Sequence, residues 1–225
     1  MKVGTGYHPL VIGIVTSNNS RINLIYEQKK IARSKARASG DWEKYVFLYE
    51  RPFRVDALLK AAKNGLRKSP SEFWALMGRV WIDTETARRH PIKWRRLWDE
   101  PIEGQRGCMA EEDLCIFDSL PEQIVVWRGA SHKRGLAGFS WTLDQETAAF
   151  FARRFCSQSR VPLLAKGIVE KRDVLAYFGV RGESEIIATK VSISSITELT
   201  VVPSDSLECT KGGETAMVAG TAATL

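Results

Sequence analysis

The feature that most constrains this chain is a change in its hydrophobic period near Pro101. Before that point apolar residues recur at helical spacing; after it they come in short runs rich in β-branched residues. Helices and strands segregated in this way do not build alternating βαβ units. They build an α+β fold, with helices packed to one side of a mostly antiparallel sheet. The sequence thus predicts a basic helical N-terminal region over residues 1–105, a mixed, mostly antiparallel β core over 106–205, and a flexible tail over 206–225.

The helical signals are specific. Trp42, Tyr45, Val46 and Tyr49 fall at i, i+3, i+4 and i+7, as do Val55, Leu58, Leu59 and Ala62. Phe73, Leu76, Met77, Val80 and Trp81 repeat the spacing, and each set marks one apolar face of an amphipathic helix. Gly65 suits the end of the second helix, and Ser69-Pro70 suits the start of the third. Trp94, Leu97 and Trp98 mark a short helix after His90-Pro91. Arg21 to Arg37 is the sharpest basic run, with Leu24, Gln28 and Ile31 as its thin apolar stripe, and reads as a surface helix. Five tryptophans of this region, Trp42, Trp74, Trp81, Trp94 and Trp98, fit either a buried core or a base-stacking platform.

Strands are expected at Gln123–Arg128, Phe139–Thr142, Leu163–Glu170, Asp173–Phe178, Glu185–Val191 and Ile196–Val202. Thr142 to Gln145 fits a capping box for one helix carrying Ala148, Ala149, Phe151, Ala152 and Phe155.

Composition excludes several classes. Apolar residues make up 44% and charged residues 26% of the 225, which is ordinary for a globular protein. No apolar run approaches the ~20 residues a membrane helix needs, and a cytoplasmic setting is expected. Cys108, Cys115, Cys156 and Cys209, like His8, His90 and His132, lack metal-ligand spacing, so no metal is expected. The net charge of +7 is uneven: residues 1–100 hold 20 Lys and Arg against 10 Asp and Glu, whereas residues 101–225 hold 13 against 16. A basic half of this kind suits nucleic acid or an acidic partner, or is simply a solvated helical face.

Three short stretches of the β region carry chemistry. Trp127-Arg128-Gly129 ends a strand in an arginine. Phe139-Ser140-Trp141-Thr142 leads from a strand into a helix. Glu183-Ser184-Glu185 brings two carboxylates into a strand, where positions i and i+2 share a face roughly 7 Å apart. Adjacent carboxylates repel, and one then holds its proton more tightly. A carboxylate at an anomeric carbon stabilises the oxocarbenium-like state of glycosidic cleavage, and the ribose–nicotinamide bond of NAD is of that type. Arg128 would hold a pyrophosphate oxygen or the ribose, and Ser140 would fix the direction of a glutamate.

Over Glu122 to Val202 the sequence resembles the ADP-ribosyltransferases whose site is named for an Arg, a Ser motif and a Glu, as in the clostridial C2-like toxins and the vertebrate arginine-specific enzymes. Arg128 matches the Arg, Ser140-Trp141-Thr142 the Ser-Thr-Ser motif, and Glu183-Ser184-Glu185 the Glu-x-Glu motif. Trp141 and Thr142 depart from the middle motif, while Ser140 is retained. The resemblance implies a core of the ADP-ribosyltransferase type with NAD as substrate. It implies Glu185 at the ribose 2′-hydroxyl, Glu183 at the acceptor, and Arg128, Gly129, Ser140, Trp141, Thr142 and Phe151 (or Phe150) around NAD. Ala176 to Gly182 matches the acceptor-recognition loop, with Tyr177, Phe178 and Arg181 as its contacts. The wording around Gly138–Asp144 also resembles bacterial and phage proteins, some of which act as toxins in defence or toxin–antitoxin systems.

The acceptor stays open at this level. A Glu at the first position of the pair accompanies protein arginine in the family. The basic N-terminal half favours RNA or DNA, slightly the stronger reading, or an acidic antitoxin or chaperone. Water as acceptor would make the chain an NAD glycohydrolase. A non-catalytic NAD- or nucleic-acid-binding module is the alternative outside enzymology, and no helix-turn-helix spacing supports a DNA-binding regulator.

Overall fold

A computed structural model describes residues 8–11, 20–84, 87–154, 156 and 160–200, with backbone alone at positions 88 and 181. Six helices precede the sheet: α1 Ser20–Ser39, α2 Trp42–Phe47, α3 Arg54–Lys63, α4 Pro70–Asp83, α5 Pro91–Trp98 and α6 Glu111–Ser119. Strands β1 Gln123–Ala130 and β2 Ser140–Thr142 follow, then helix α7 Gln145–Arg154. Strands β3 Leu163–Glu170, β4 Val174–Phe178, β5 Glu185–Ala188 and β6 Ser192–Glu198 complete the sheet. Its order is β4-β5-β2-β1-β3-β6, and every pairing is antiparallel rather than mixed. The fold is α+β, with a helical N-terminal region ahead of a six-stranded antiparallel sheet. No described helix is long and apolar enough to cross a membrane.

The helical periods behave as their spacing predicts for α2 to α5. Val55, Leu58 and Ala62 are buried on α3, and Phe73, Leu76, Met77, Val80 and Trp81 on α4. The five tryptophans are core, at most 8% exposed, and so form no stacking platform. Trp81 packs edge-on against Trp94 at 4.8 Å and Trp98 at 5.6 Å, and Trp98 stacks on Trp74 at 6.3 Å. One buried apolar cluster runs without interruption from Leu10 to Ala188, across the change of period.

Four local expectations are corrected. The stripe expected on α1 faces outward, with Leu24 59% and Ile31 56% exposed. The inner face is built instead by Ile22, Tyr26, Lys29, Arg33 and Ala36. Lys29 and Arg33 lay their stems along the body and reach Glu50 and the Tyr49 hydroxyl. Helix α6 carries no strong apolar period, yet Glu111, Glu112 and Asp113 in its first turn complement the positive end of its dipole. The cap of α7 is Asp144 rather than Thr142. The Asp144 carboxylate accepts from the Glu146 and Thr147 N–H groups and the Thr147 hydroxyl, which holds it below the usual carboxylate range, the hydroxyl contributing most. Finally, β5 ends at Ala188 and β6 starts at Ser192, so the apolar residues around 196–202 misplace the last strand. β6 is exposed along its whole length, so burial does not set its register. The tail expected over 206–225 lies outside the described residues.

Cys108 is buried and Cys115 exposed. Burial pushes the Cys108 thiol up to about 12, aided by the nearby Asp113 charge, which makes it an inert core group.

Helix α7 crosses β1 at Gly129. A Cβ there would collide with the Ala148 carbonyl oxygen and lie 2.6 Å from the Ala152 nitrogen. Both obstacles are backbone, so the helix would have to lift off the sheet. Gly129→Ala is expected to lower stability by about 3 kcal/mol, read as a lower urea midpoint, the size typical of a forced overpacking. A midpoint within error of wild type would show that the crossing yields easily.

Candidate active site

Glu185 opens β5, paired with Thr142 of β2 on one side and Phe178 of β4 on the other. This puts a carboxylate at the start of an interior strand, flanked by β4 and β2 and 8% exposed. A buried charge is costly unless its lone pairs are occupied by donors. Both Glu185 oxygens have one. Ser140 lies two residues before Thr142, on the same face of β2 and diagonal to Glu185, and its hydroxyl donates to Oε1. The Trp81 indole N–H donates to Oε2 at 3.0 Å.

Trp81 comes from α4, 104 residues away in sequence. Its ring belongs to the tryptophan cluster while its N–H leaves that cluster for the sheet. Trp74 solves the same problem locally, donating to the carbonyls of Ile102 and Glu103 at 3.1 Å. The sequence signal for this contact is thin: a buried tryptophan usually finds an acceptor, but helical spacing does not say which, and the buried N–H groups of Trp94 and Trp98 have none.

Arg128 does not extend its fork into open space. Its Nε donates to the Gly135 carbonyl at 2.8 Å and its Nη1 to the Ser140 carbonyl. A Cβ on Gly138 would collide with Nη2 and press to 2.5 Å from Cζ. Arg128 thus clamps the turn at 133–137 against β2 and fixes the backbone that carries Ser140. Nε and Nη1 are engaged by this internal brace.

The Glu-x-Glu pair is not a same-face strand pair. Glu183 closes the turn at 180–182 in helical conformation (φ −89°, ψ −10°), and Ser184 has φ 43°. The Thr142 hydroxyl donates to the Glu183 carbonyl at 2.6 Å, and Leu143 N–H donates to the Ser184 carbonyl. These bonds tie the turn to β2 and delay the strand until Glu185. Thr142 also accepts from Asp144 N–H, so its role is to join β2, α7 and the turn.

Tyr177 and Phe178 are not on a loop. They lie in β4 and are 4% and 1% exposed, which makes them core rather than acceptor contacts. The turn after them starts at Gly179, whose N–H is held by the buried Asp113 carboxylate at 2.9 Å. Arg181 lies in that turn, and its side chain is outside the described set. Trp141 points into the core and donates to the Gly138 carbonyl at 3.2 Å. Gly129 serves the crossing of α7. Phe151 is half-buried on α7 against the ring of Phe150, 5.5 Å away. The structure therefore gathers Arg128, Ser140 and Glu185, adds Trp81, and takes Tyr177 and Phe178 away. Among the described residues no group of three His, Cys, Asp or Glu is placed to hold a metal ion.

No family model matches the chain, and no curated protein or solved structure matches it.

Trp81→Phe keeps an aromatic ring in the cluster and removes one donor from a buried carboxylate. The expected loss is about 1.5–3 kcal/mol in urea unfolding, the scale of a hydrogen bond to a charged group. The loss should shrink once Glu185 is replaced by Leu, which leaves the indole no acceptor to lose. An equal loss in both backgrounds would assign the effect to packing alone.

Proposed function

We propose that this chain is an NAD-dependent mono-ADP-ribosyltransferase whose core is of the ADP-ribosyltransferase type. The observation that carries the reading is the buried Glu185 carboxylate, directed by the Ser140 hydroxyl that the sequence resemblance assigns to that task. In this reading Glu185 accepts from a ribose hydroxyl and stabilises the positive charge that develops at the anomeric carbon. The bond to nicotinamide breaks and nicotinamide leaves with its electron pair. The acceptor nucleophile then attacks the anomeric carbon and gives up its proton. Trp81 and Ser140 hold the carboxylate in place, so little reorganisation is needed as charge develops.

A nucleic-acid acceptor is favoured, in the setting of a toxin or defence effector. Glu183 stands in the turn before β5, not beside Glu185, which supports an acceptor held by something other than a paired glutamate. Protein arginine is the runner-up acceptor, and water would give NAD hydrolysis. The internal brace made by Arg128 favours a second reading outside enzymology, a binding module that retains the architecture without turnover.

Labelled NAD incubated with the protein and cell lysate tests the proposal, with the product split between nuclease and protease. Transfer of label that survives protease and is lost with nuclease is expected. Glu185→Gln should reduce transfer about 100-fold or more, as for loss of a positioned catalytic group. Equal labelling by both proteins would sink the enzymatic reading.

A further inference from the structure

Beyond Arg128, the end of β1 opens into a concavity of about 550 Å³ lined by Ser131, His132, Lys133, Arg134, Arg160 and Val161. Four of these six side chains are basic and none is acidic. No carboxylate among the described residues pairs with Lys133, Arg134 or Arg160, although other surface cations of the chain, such as Arg79 and Arg106, find Glu43 and Asp118. The sequence explains why. Residues 123–143 and 147–169 contain no Asp or Glu, while they supply Arg128, Lys133, Arg134, Arg153, Arg154, Arg160 and Lys166. These two stretches of sequence are acid-free and basic within a half of the chain that is otherwise slightly acidic, and the exposed Glu198 enters only from β6, opposite Leu163.

Local geometry presents the cations as a group. His132 Nδ1 accepts from Gly135 N–H at 2.9 Å, which closes the turn. The Gly135 carbonyl is held by Arg128. The turn that displays Lys133 and Arg134 is therefore fixed to the strand arginine, which in turn fixes Ser140. Helix α7 crosses β1 at Gly129, next to this end of the strand, and carries Arg153 and Arg154 in its last turn, outside the lining of the concavity. The same helix exposes Phe150, 55% accessible, with the Arg154 guanidinium 5.8 Å from its ring centroid.

We infer that this concavity is a phosphate seat that takes the sugar–phosphate backbone of a single-stranded nucleic acid. Unneutralised lysine and arginine recognise phosphate oxygens without regard to base sequence, and planar guanidinium groups match them bidentately. An exposed aromatic ring beside such charge suits a base stacked next to the backbone, which an acidic peptide does not offer. The inference rests on the reading of nucleic acid as the acceptor, and deepens it by giving the strand a track that ends at the Arg128–Ser140–Glu185 site. The same oxyanion chemistry is carried by the pyrophosphate of NAD, so the two sources must be separated.

The test measures binding without turnover. Fluorescence anisotropy follows the wild type and the triple variant Lys133→Ala/Arg134→Ala/Arg160→Ala with a labelled single-stranded oligonucleotide at several salt concentrations. NAD binding is followed separately by calorimetry. All three substitutions lie on exposed side chains, and circular dichroism and the urea midpoint check that the triple variant stays folded. The expected result is that the triple variant binds the oligonucleotide at least about tenfold more weakly, and that the slope of log K against log salt falls by about 2, the release from three single-strand phosphate contacts. The NAD affinity of the triple variant should stay at the wild-type value. Oligonucleotide binding unchanged in the triple variant overturns the inference. So does a selective loss of NAD affinity, which would make this the NAD pyrophosphate seat, and so does wild-type protein that binds poly-glutamate but no oligonucleotide. Oligonucleotide binding lost in the triple variant, with no ADP-ribose transfer by wild type, leaves the seat standing and removes the enzymatic reading instead.

Discussion

A carboxylate buried at the start of an interior strand of an antiparallel sheet is the constraint around which this structure is arranged. Glu185 would be costly there without donors on both oxygens, and the two donors come from opposite parts of the chain. Ser140 belongs to the neighbouring strand. Trp81 belongs to a helix of the N-terminal region, anchored by Trp94 and Trp98. The helical region is thus more than a basic appendage: it supplies one wall of the candidate site, and the apolar cluster is continuous across the change of period.

Around that carboxylate a second set of contacts fixes geometry rather than chemistry. Arg128 clamps the turn after β1 to the Ser140 carbonyl, Thr142 ties β2 to the Glu183 turn, and Asp113 secures Gly179 at the head of that turn. Gly129 and Gly138 are glycines because backbone and guanidinium atoms occupy the space a Cβ would fill. Each contact removes a freedom that would let Ser140 drift from Glu185. Arg128, Gly129 and Thr142 thereby acquire concrete structural tasks.

Much of this was legible in the sequence, for a clear reason. Helical spacing of bulky apolar residues marks α3 and α4, because one face of each is buried. The β-branched run at 123–128 marks β1. Motif order groups Arg128, Ser140 and Glu185, and the Arg128–Ser140 and Ser140–Glu185 hydrogen bonds link the three in the fold. Reading failed where local pattern does not encode the deciding contact. Tyr177 and Phe178 look like a recognition loop until β4 pairs with β5 and α6 packs on them. Glu183 and Glu185 look like a strand pair until hydrogen bonds from Thr142 and Leu143 hold the turn open through Ser184. Trp81 looks like any core tryptophan, since the acceptor of its N–H lies 104 residues away. Helix α6 leaves little apolar period to read, because its start is set by charge at the dipole end.

The central claim is that Glu185, held by Ser140 and Trp81, faces the ribose of NAD. A crystal structure with an NAD analogue whose nicotinamide–ribose bond is replaced by a non-cleavable carbon link tests it most directly. The account requires the analogue's nicotinamide-side ring hydroxyl within hydrogen-bond distance of the Glu185 carboxylate, with Ser140 and Trp81 still donating to its two oxygens. An analogue bound away from Glu185, or a Glu185 carboxylate sealed from the ligand by the same two donors, would contradict it and leave the carboxylate a purely structural group.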